Sequence, residues 1–236
     1  WLNQQTGGLL SEETGNIRTD TDNLLRLYNT IYYKAGWLAA FESSQTKTDT
    51  FTAADGSKQQ VDFMHRTDEG TYRKGEGYTA APRRLKYGRM VFVLPDEGVT
   101  PESLLQSEGF LAELTGEYSG AELVWSVPKF DVKSSTDLKD ILRTLGVTDA
   151  FDPNMADFTP LTDDGAMVDS VMQAARVKID EEGVEAAAYT EIVAADSGPM
   201  ELPPVVEMNL NRPFLFAIFD GNDVPLFIGT VYSVEG

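Results

Sequence analysis

The chain has 236 residues, of which 42% are hydrophobic, and this length favours a single globular domain with one sizeable core. Acidic residues outnumber basic ones by 38 to 19, and the net charge of −19 argues against nucleic acid and anionic membranes as partners. The absence of cysteine excludes disulfides, thiolate zinc sites and cysteine nucleophiles, and no apolar run is long enough to span a membrane. No metal-binding cluster is apparent in the sequence, so we expect neither a metal nor a cofactor.

Apolar and β-prone residues predict strands in the first hundred residues. Residues 24–33 lack helical spacing, which indicates a strand that Gly36 ends. Residues 46–64 predict a hairpin, because two alternating runs flank a turn at Asp55–Gly56. Residues 90–94 are wholly apolar, as expected of a strand covered on both faces.

Capping residues and apolar spacing predict the helices. Thr6–Gly8 has the composition of a helix end, and Thr100–Pro101 has the order of a cap followed by the first helical residue. Thr136 predicts a second cap, and Gly146 the end of that helix. Between them the apolar residues recur at i, i+3, i+4 and i+7: Leu138, Ile141, Leu142 and Leu145.

The end of the chain predicts a hairpin. Its arms are Phe214–Phe219 and Leu226–Tyr232, its turn is Asp220–Asn222, and both arms are apolar enough for the centre of a protein. We also assign Trp37, Phe130 and Phe214 to the core. The pattern as a whole indicates a mixed α+β fold, with several strands in more than one sheet and helices inserted between them.

One segment does not fit an ordinary loop. Between Glu181 and Pro203 the residues are small, and every second one is apolar or uncharged, which is the pattern of a strand. Gly183 provides a hinge, and Pro203 and Pro204 end any sheet pairing. One face carries Val184, Ala186, Ala188, Thr190, Ile192 and Ala194; the other carries Glu185, Ala187, Tyr189, Glu191 and Val193. The alternative is an ordinary edge strand followed by a surface loop.

Two motifs in this part of the chain resemble a known family. Glu181–Thr190, an acidic pair followed by Gly, Val, Glu and an alanine run, resembles the hinge of the serpins. Asn211–Phe216 followed by Pro225–Gly229 resembles the serpin C-terminal signature. Residues along the whole chain match serpin landmarks in serpin order, among them Asn29–Lys34, Trp37, Phe41, Val93–Pro95, Pro128–Phe130, Leu145–Val147 and Ala156–Phe158. The chain is therefore identified as a member of the serpin family.

The resemblance implies a serpin fold with several largely antiparallel sheets and a mobile reactive loop. Residues 1–236 form one serpin domain that is incomplete at its N-terminus, with the hinge and reactive loop at 183–203. Residue 1 falls in the helix that crosses the main sheet, so the earlier helices and strands are missing. The missing N-terminal part of the same protein is then a required partner, and the location is extracellular or at the cell surface.

The resemblance also implies a function as an inhibitor of serine proteases, not as an enzyme. The protease cleaves the loop and is trapped as an acyl-enzyme while the loop inserts into the main sheet. The hinge and inserting loop comprise Gly183, Val184, Glu185, Ala186, Ala187, Ala188, Thr190, Ile192 and Ala194. Counting from Gly183 gives a reactive bond at Ser197–Gly198, which we favour, whereas counting back from Asn211 gives one near Pro199–Met200. The residues before the favoured bond, Ala194–Ser197, are small and uncharged apart from Asp196, which predicts a protease that accepts small residues.

The resemblance assigns the control of sheet opening to Asn29, Trp37 and Gln173. This sequence departs from the family pattern nearby, because Gln173–Ala174 stands where His-Lys is common and Ala35 where Gly is usual. Val184 replaces the usual Thr or Ser at the first inserting position, which is compatible with insertion because Val is uncharged.

Three alternatives remain beside the inhibitor. A serpin-like protein that binds or carries a ligand without inhibiting is one, and the alanine-rich hinge argues against it. A hydrolase is disfavoured, because His65 is the only histidine and no Gly-x-Ser-x-Gly motif occurs. The cations of Arg83–Lys86 indicate a solvated edge more readily than a glycosaminoglycan site.

Overall fold

The computed structural model describes residues 4, 24–31, 33–163, 165–184 and 203–234. In this part of the chain there are thirteen β-strands and three α-helices. The chain divides into two compact units, the smaller made of Trp1–Tyr33 with Lys133–Val177 and the larger of Lys34–Val132 with Lys178–Gly236.

An eight-stranded sheet forms the framework of the larger unit. Its strand order is β11 (Val205–Asn209), β7 (Ser119–Pro128), β4 (Lys58–Gly75), β5 (Tyr78–Arg84), β6 (Arg89–Pro95), β12 (Phe214–Phe219) and β13 (Pro225–Val231), and β3 (Lys47–Thr52) also pairs with β4. Neighbouring strands are antiparallel, except that β11 is parallel to β7. The two predicted hairpins, β3–β4 and β12–β13, are confirmed.

The core of this unit lies on both faces of β6 and β12. On one face, side chains of these strands pack against two short helices, α1 (Pro101–Leu105) and α2 (Phe110–Glu113). Thr100 caps α1 as predicted, since its side chain accepts a hydrogen bond from the Ser103 backbone N–H at 3.3 Å. On the other face lies an aromatic cluster that includes Trp37, Phe130 and Phe214, so their assignment to the core is confirmed.

Parallel pairing defines the sheet of the smaller unit. Strand β1 (Leu24–Ile31) is parallel to β9 (Met167–Ile179), from Leu24 opposite Met167 to Ile31 opposite Ala175. Strand β8 (Phe130–Asp137) also pairs with β9. Beside this sheet lie α3 (Lys139–Thr144) and a short 3-10 helix at Asp149–Phe151, whereas the 3-10 helix at Ser43–Gln45 belongs to the larger unit.

The predicted start of α3 is wrong. Thr136 lies in β8, and the carboxylate of Asp137 accepts a hydrogen bond from the Lys139 N–H instead. Leu138 and Leu142 pack on Phe151, Val168 and Val171, whereas Ile141 and Leu145 are 51% and 75% exposed. Two of the four predicted apolar residues are therefore exposed to solvent, because a helix of six residues packs only one turn against Phe151, Val168 and Val171.

Two further sequence predictions need correction, and two lie outside the described residues. Gly36 does not end a strand but forms β2 with Ala35. Strand β12 is buried throughout, but Leu226 and Ile228 of β13 are 38% and 44% exposed, because β13 is an edge strand of the described sheet. The helix end at 6–8 and the continuation of β1 to Tyr32 fall on residues that the structure does not describe.

Candidate functional site

A tight turn at the end of β9 forms the base of the predicted reactive loop. The backbone N–H of Asp180 donates to the Gly183 carbonyl at 3.0 Å, and one carboxylate oxygen of Asp180 accepts from the N–H groups of Glu182 and Gly183 at 2.9 and 3.2 Å. Aspartate favours such turns because its short side chain bonds the backbone a few residues ahead. We call residues 180–183 the loop base.

Gly183 adopts a backbone conformation that other residues avoid. Its φ is +146°, and a Cβ at this position would lie 2.6 Å from the Ala35 carbonyl oxygen and 2.6 Å from the Gly36 Cα. Both neighbours are backbone atoms, so a side-chain rotation cannot relieve the contact. Only glycine fits this point of the chain.

The residue after Gly183 occupies a strand position. Gly183–Val184 forms β10, which runs antiparallel to β2 with Gly183 opposite Gly36 and Val184 opposite Ala35. Val184 also pairs antiparallel with Ile179 at the end of β9. Its side chain is only 2% exposed. The first residue predicted to insert is therefore flanked by strand neighbours on both sides.

Trp37 binds the loop base through its side chain and its backbone. Its indole N–H donates to the Asp180 carbonyl at 2.9 Å, and its backbone N–H donates to the Glu182 carbonyl at 2.9 Å. Phe41 adds a third bond, from its N–H to the Glu181 carbonyl at 3.0 Å. The segment 37–41 thus satisfies three consecutive carbonyls of the loop base.

Glu181 forms the ionic contact of the loop base. One carboxylate oxygen accepts from the Lys129 ammonium and the Thr46 hydroxyl, each at 2.7 Å. Partial burial opposes ionisation, but these two bonds outweigh it, and the pKa of Glu181 lies below its ordinary value. Glu181 is therefore charged at neutral pH, and it binds Lys129, which directly follows β7, and Thr46, which directly precedes β3.

The structure describes only some of the predicted site residues. Gly183 and Val184 lie in β10, and Trp37 contacts the loop base. Asn29 and Gln173 lie in the smaller unit, directly opposite each other on the parallel strands β1 and β9. The predicted bond Ser197–Gly198 and the alternative at Pro199–Met200 lie outside the described residues. So do the remaining predicted loop residues, Glu185, Ala186, Ala187, Ala188, Thr190, Ile192 and Ala194.

Comparison with known proteins decides the family. The family model described as "Serpin (serine protease inhibitor)" matches residues 1–234. This chain belongs to the serpin family. Mouse "Serpin B12" is 32% identical to this serpin over 98% of the chain, and "Plasminogen activator inhibitor 1" of Neovison vison is 28% identical over 98%. The structure of human thyroxine-binding globulin matches all of this serpin chain with a TM-score of 0.81 and 27% identity.

The matched region is only part of each relative. This serpin chain spans 57% of Serpin B12, 60% of the plasminogen activator inhibitor and 62% of the thyroxine-binding globulin chain. The serpin fold predicted from the sequence is confirmed for the part described, with its mixed sheets and short helices.

Sequence reasoning missed several residues that contact the loop base or its neighbours. Lys129 lies in a stretch that matches a serpin landmark and Glu181 in the hinge motif, but no local pattern predicted that the two residues form an ion pair. The prediction of a solvated edge is wrong for Arg83, which is 5% exposed and paired with Asp68, whereas Arg84 and Lys86 are exposed as predicted. The burial of Arg83 could have been predicted from the alternation along β5, because every second side chain of a strand points to the same face of the sheet.

Proposed function

We propose that this chain is the C-terminal part of a serine protease inhibitor that acts by a suicide-substrate mechanism, in which the cleaved loop inserts into the main sheet. The observation that carries the proposal is the position of Val184, buried and paired with both Ile179 and Ala35. The loop thus begins in a strand position that further residues are able to extend.

The direction and the face of β10 support insertion. Because β10 is antiparallel to β9, residues following Val184 in the same direction would run back along β9. The partner of β9 over Met167–Ala175 is now β1, so this pairing must open for insertion to proceed. In an inserted strand, two-residue alternation would put Ala186 and Ala188 on the same face as Val184, where small side chains would meet the least steric resistance.

The covalent chemistry comes from the protease. Its serine oxygen attacks the carbonyl of the reactive residue, Ser197 in our assignment, so the bond to Gly198 breaks and an acyl ester forms. The freed loop then inserts, and thirteen residue steps from Val184 to Ser197 span about 45 Å at strand rise. The ester carries the protease over that distance, and new strand hydrogen bonds supply the driving force before water releases the enzyme.

A pair of adjacent substitutions tests this proposal in the complete protein. We expect the wild type to form a denaturant-resistant complex with a serine protease that prefers small residues, and mass spectrometry of the released peptide to identify the cleaved bond. Ala188→Glu places a charge on the inserting face and should convert the inhibitor into a substrate, because burying an unpaired carboxylate is unfavourable. Ala187→Glu is the matched control, since the opposite face already carries Glu185 and Glu191.

Two results would contradict the proposal. One is the absence of a stable complex with any protease that cleaves the loop of the wild type. The other is equal complex formation by Ala188→Glu and Ala187→Glu, because a loop that inserts must distinguish its two faces.

We also propose that the rest of the protein, N-terminal to residue 1, covers the exposed face of β13. Leu226 and Ile228 of β13 are 38% and 44% exposed, and Val224, which directly precedes the strand, is 52% exposed. Neighbouring exposed apolar residues of this kind often mark a surface that another part of a protein covers. The chain also spans less than two thirds of its relatives. Co-expression of this chain with the missing part should bury these residues and yield a single soluble complex.

A cavity favours a ligand carrier as the second candidate function. It measures about 590 Å³, within the range of small-molecule sites, and its walls include Pro95, Val99, Glu102, Arg212 and Tyr232. A carrier, unlike an inhibitor, would be cleaved without forming a complex, and the two glutamate variants would behave alike.

The location stays a prediction. In the described ranges, no helix is both long and apolar enough to cross a membrane. The extracellular or cell-surface location expected from the family is testable by fractionating cells that express the complete protein.

A further inference from the structure

Asp68 collects three hydrogen bonds from three neighbouring strands of the larger unit. Its carboxylate accepts from the Arg66 Nε at 2.5 Å, the Arg83 Nη1 at 3.4 Å and the Trp125 indole N–H at 3.1 Å. Arg66 and Asp68 lie two residues apart on β4, so their side chains share one face of the sheet. We call Arg66, Asp68 and Arg83 the arginine clamp.

Both arginines of the clamp also hold the backbone of the segment 37–41. The Arg83 Nη2 donates to the Ala39 carbonyl at 2.6 Å, and the Arg66 Nη1 donates to the Ala40 carbonyl at 2.9 Å. Two consecutive carbonyls of a segment outside the regular strands are therefore fixed by charged donors, which form stronger hydrogen bonds than neutral ones.

Aromatic rings surround the Arg83 guanidinium. Its central carbon lies 4.1 Å from the ring centroid of Phe41 and 5.6 Å from those of Trp37 and Trp125. Burial lowers the pKa of Arg83 to about 10, although the charge of Asp68 opposes the shift. Its Nε is buried with no hydrogen-bond partner in the described part of the chain. Burial of a charged arginine adds little to the stability of the fold, since an apolar side chain of similar volume often stabilises a protein core as well. Stability alone therefore does not explain an arginine at this position.

The segment held by the clamp is the one that binds the loop base. Trp37 and Phe41, which flank the two clamped carbonyls, donate to the carbonyls of Asp180, Glu182 and Glu181. From this continuity we propose that the arginine clamp is a positioning element for the reactive loop, holding 37–41 so that the loop base stays docked. The inference rests on the proposed function only where inhibition is measured.

Hydrogen exchange in the complete protein tests the clamp without any protease. Arg83→Met keeps the side-chain volume but removes the charge, and we expect the Trp37 and Phe41 amides to exchange about tenfold faster, as for the loss of one charged hydrogen bond. Arg83→Lys keeps the charge without the planar fork and should rescue part of the protection. Lys74→Met is the control, because the Lys74–Asp96 ion pair lies in the same unit but contacts neither 37–41 nor the loop base.

A second variant covers the possibility that Arg83→Met does not fold. Arg66 is 31% exposed, so Arg66→Gln removes the bond to the Ala40 carbonyl at less risk to the core. It should raise exchange at Phe41 more than at amides of β12. Unchanged exchange at Trp37 and Phe41 in a folded Arg66 or Arg83 variant would overturn the proposal, as would a uniform increase over the whole larger unit.

Inhibition kinetics supply the second readout. Weakening of the loop base should raise the number of inhibitor molecules consumed per protease about fivefold in Arg83→Met, and leave the association rate constant unchanged. A change in the association rate alone would refute the positioning role. If the wild type forms no complex at all, the proposed function fails, and hydrogen exchange still decides whether the clamp holds the loop base.

Discussion

Replacement of Gly183 by alanine probes the loop base at a single methyl group. The added Cβ would meet the Ala35 carbonyl oxygen at 2.6 Å and the Trp37 nitrogen at 2.8 Å, and the backbone would remain at φ +146°. Neither contact is relieved by rotating a side chain. The variant therefore has to accept the strain or separate β10 from β2.

The size of the effect follows from these two terms. A non-glycine residue in this region of φ costs about 1–3 kcal/mol, and separation of β10 from β2 limits the additional cost of the clash. We expect a loss of about 2–3 kcal/mol, which lowers the melting temperature of the complete protein by about 2–4 °C, because the entropy of unfolding grows with chain length. This change in melting temperature is measured by thermal unfolding monitored with circular dichroism.

Two glycines separate backbone strain from the clash. Gly56 has φ +83° but open space around its Cβ position, so Gly56→Ala reports the strain alone. Gly120 has open space and no positive φ, so Gly120→Ala should leave the melting temperature unchanged. If Gly183→Ala melts no lower than Gly56→Ala, the contact with β2 contributes nothing and the predicted clash is refuted.

Two smaller predictions concern a charge and a cap. Because the pKa of Glu181 is lowered in the folded protein, its contribution to stability is present above the unfolded pKa of about 4.3 and is lost as the pH falls through the folded value. Glu181→Gln should thus remove part of the acid-side decline in melting temperature, and Lys129→Met should do the same; a decline identical to wild type would contradict this. Thr100→Ala should destabilise α1 by about 1 kcal/mol, visible as faster exchange of the Ser103 amide, and no change there would exclude the cap.

Local patterns were sufficient for most of the strands. The continuous apolar run of β6 and the turn residues at Asp55–Gly56 act over a few neighbours, so the sequence alone predicted both elements. The start of α3 was mispredicted because Thr136 and Asp137 are both capping residue types, and the pairing of β8 with β9 extends the strand past Thr136. Propensity does not include that tertiary pairing.

The clamp was invisible to such reasoning because its partners are distant in sequence. Arg83 contacts Asp68 fifteen residues away and Ala39 forty-four residues away. Its neighbours Arg84 and Lys86 are exposed, so the local composition indicated a charged surface. The loop base was recognised from its motif, but its contacts with Trp37 and Lys129 depend on the sheet that brings them together.

The contact between Trp37 and the loop base gives the molecule an internal optical label. The indole is 1% exposed and donates to the Asp180 carbonyl, and the chain contains only three tryptophans. Phenylalanine at Trp1 and Trp125 would leave Trp37 as the single tryptophan of this chain. Departure of the turn at Asp180 would let water reach the indole and shift its fluorescence to longer wavelength, so loop movement becomes observable in real time without attached dyes.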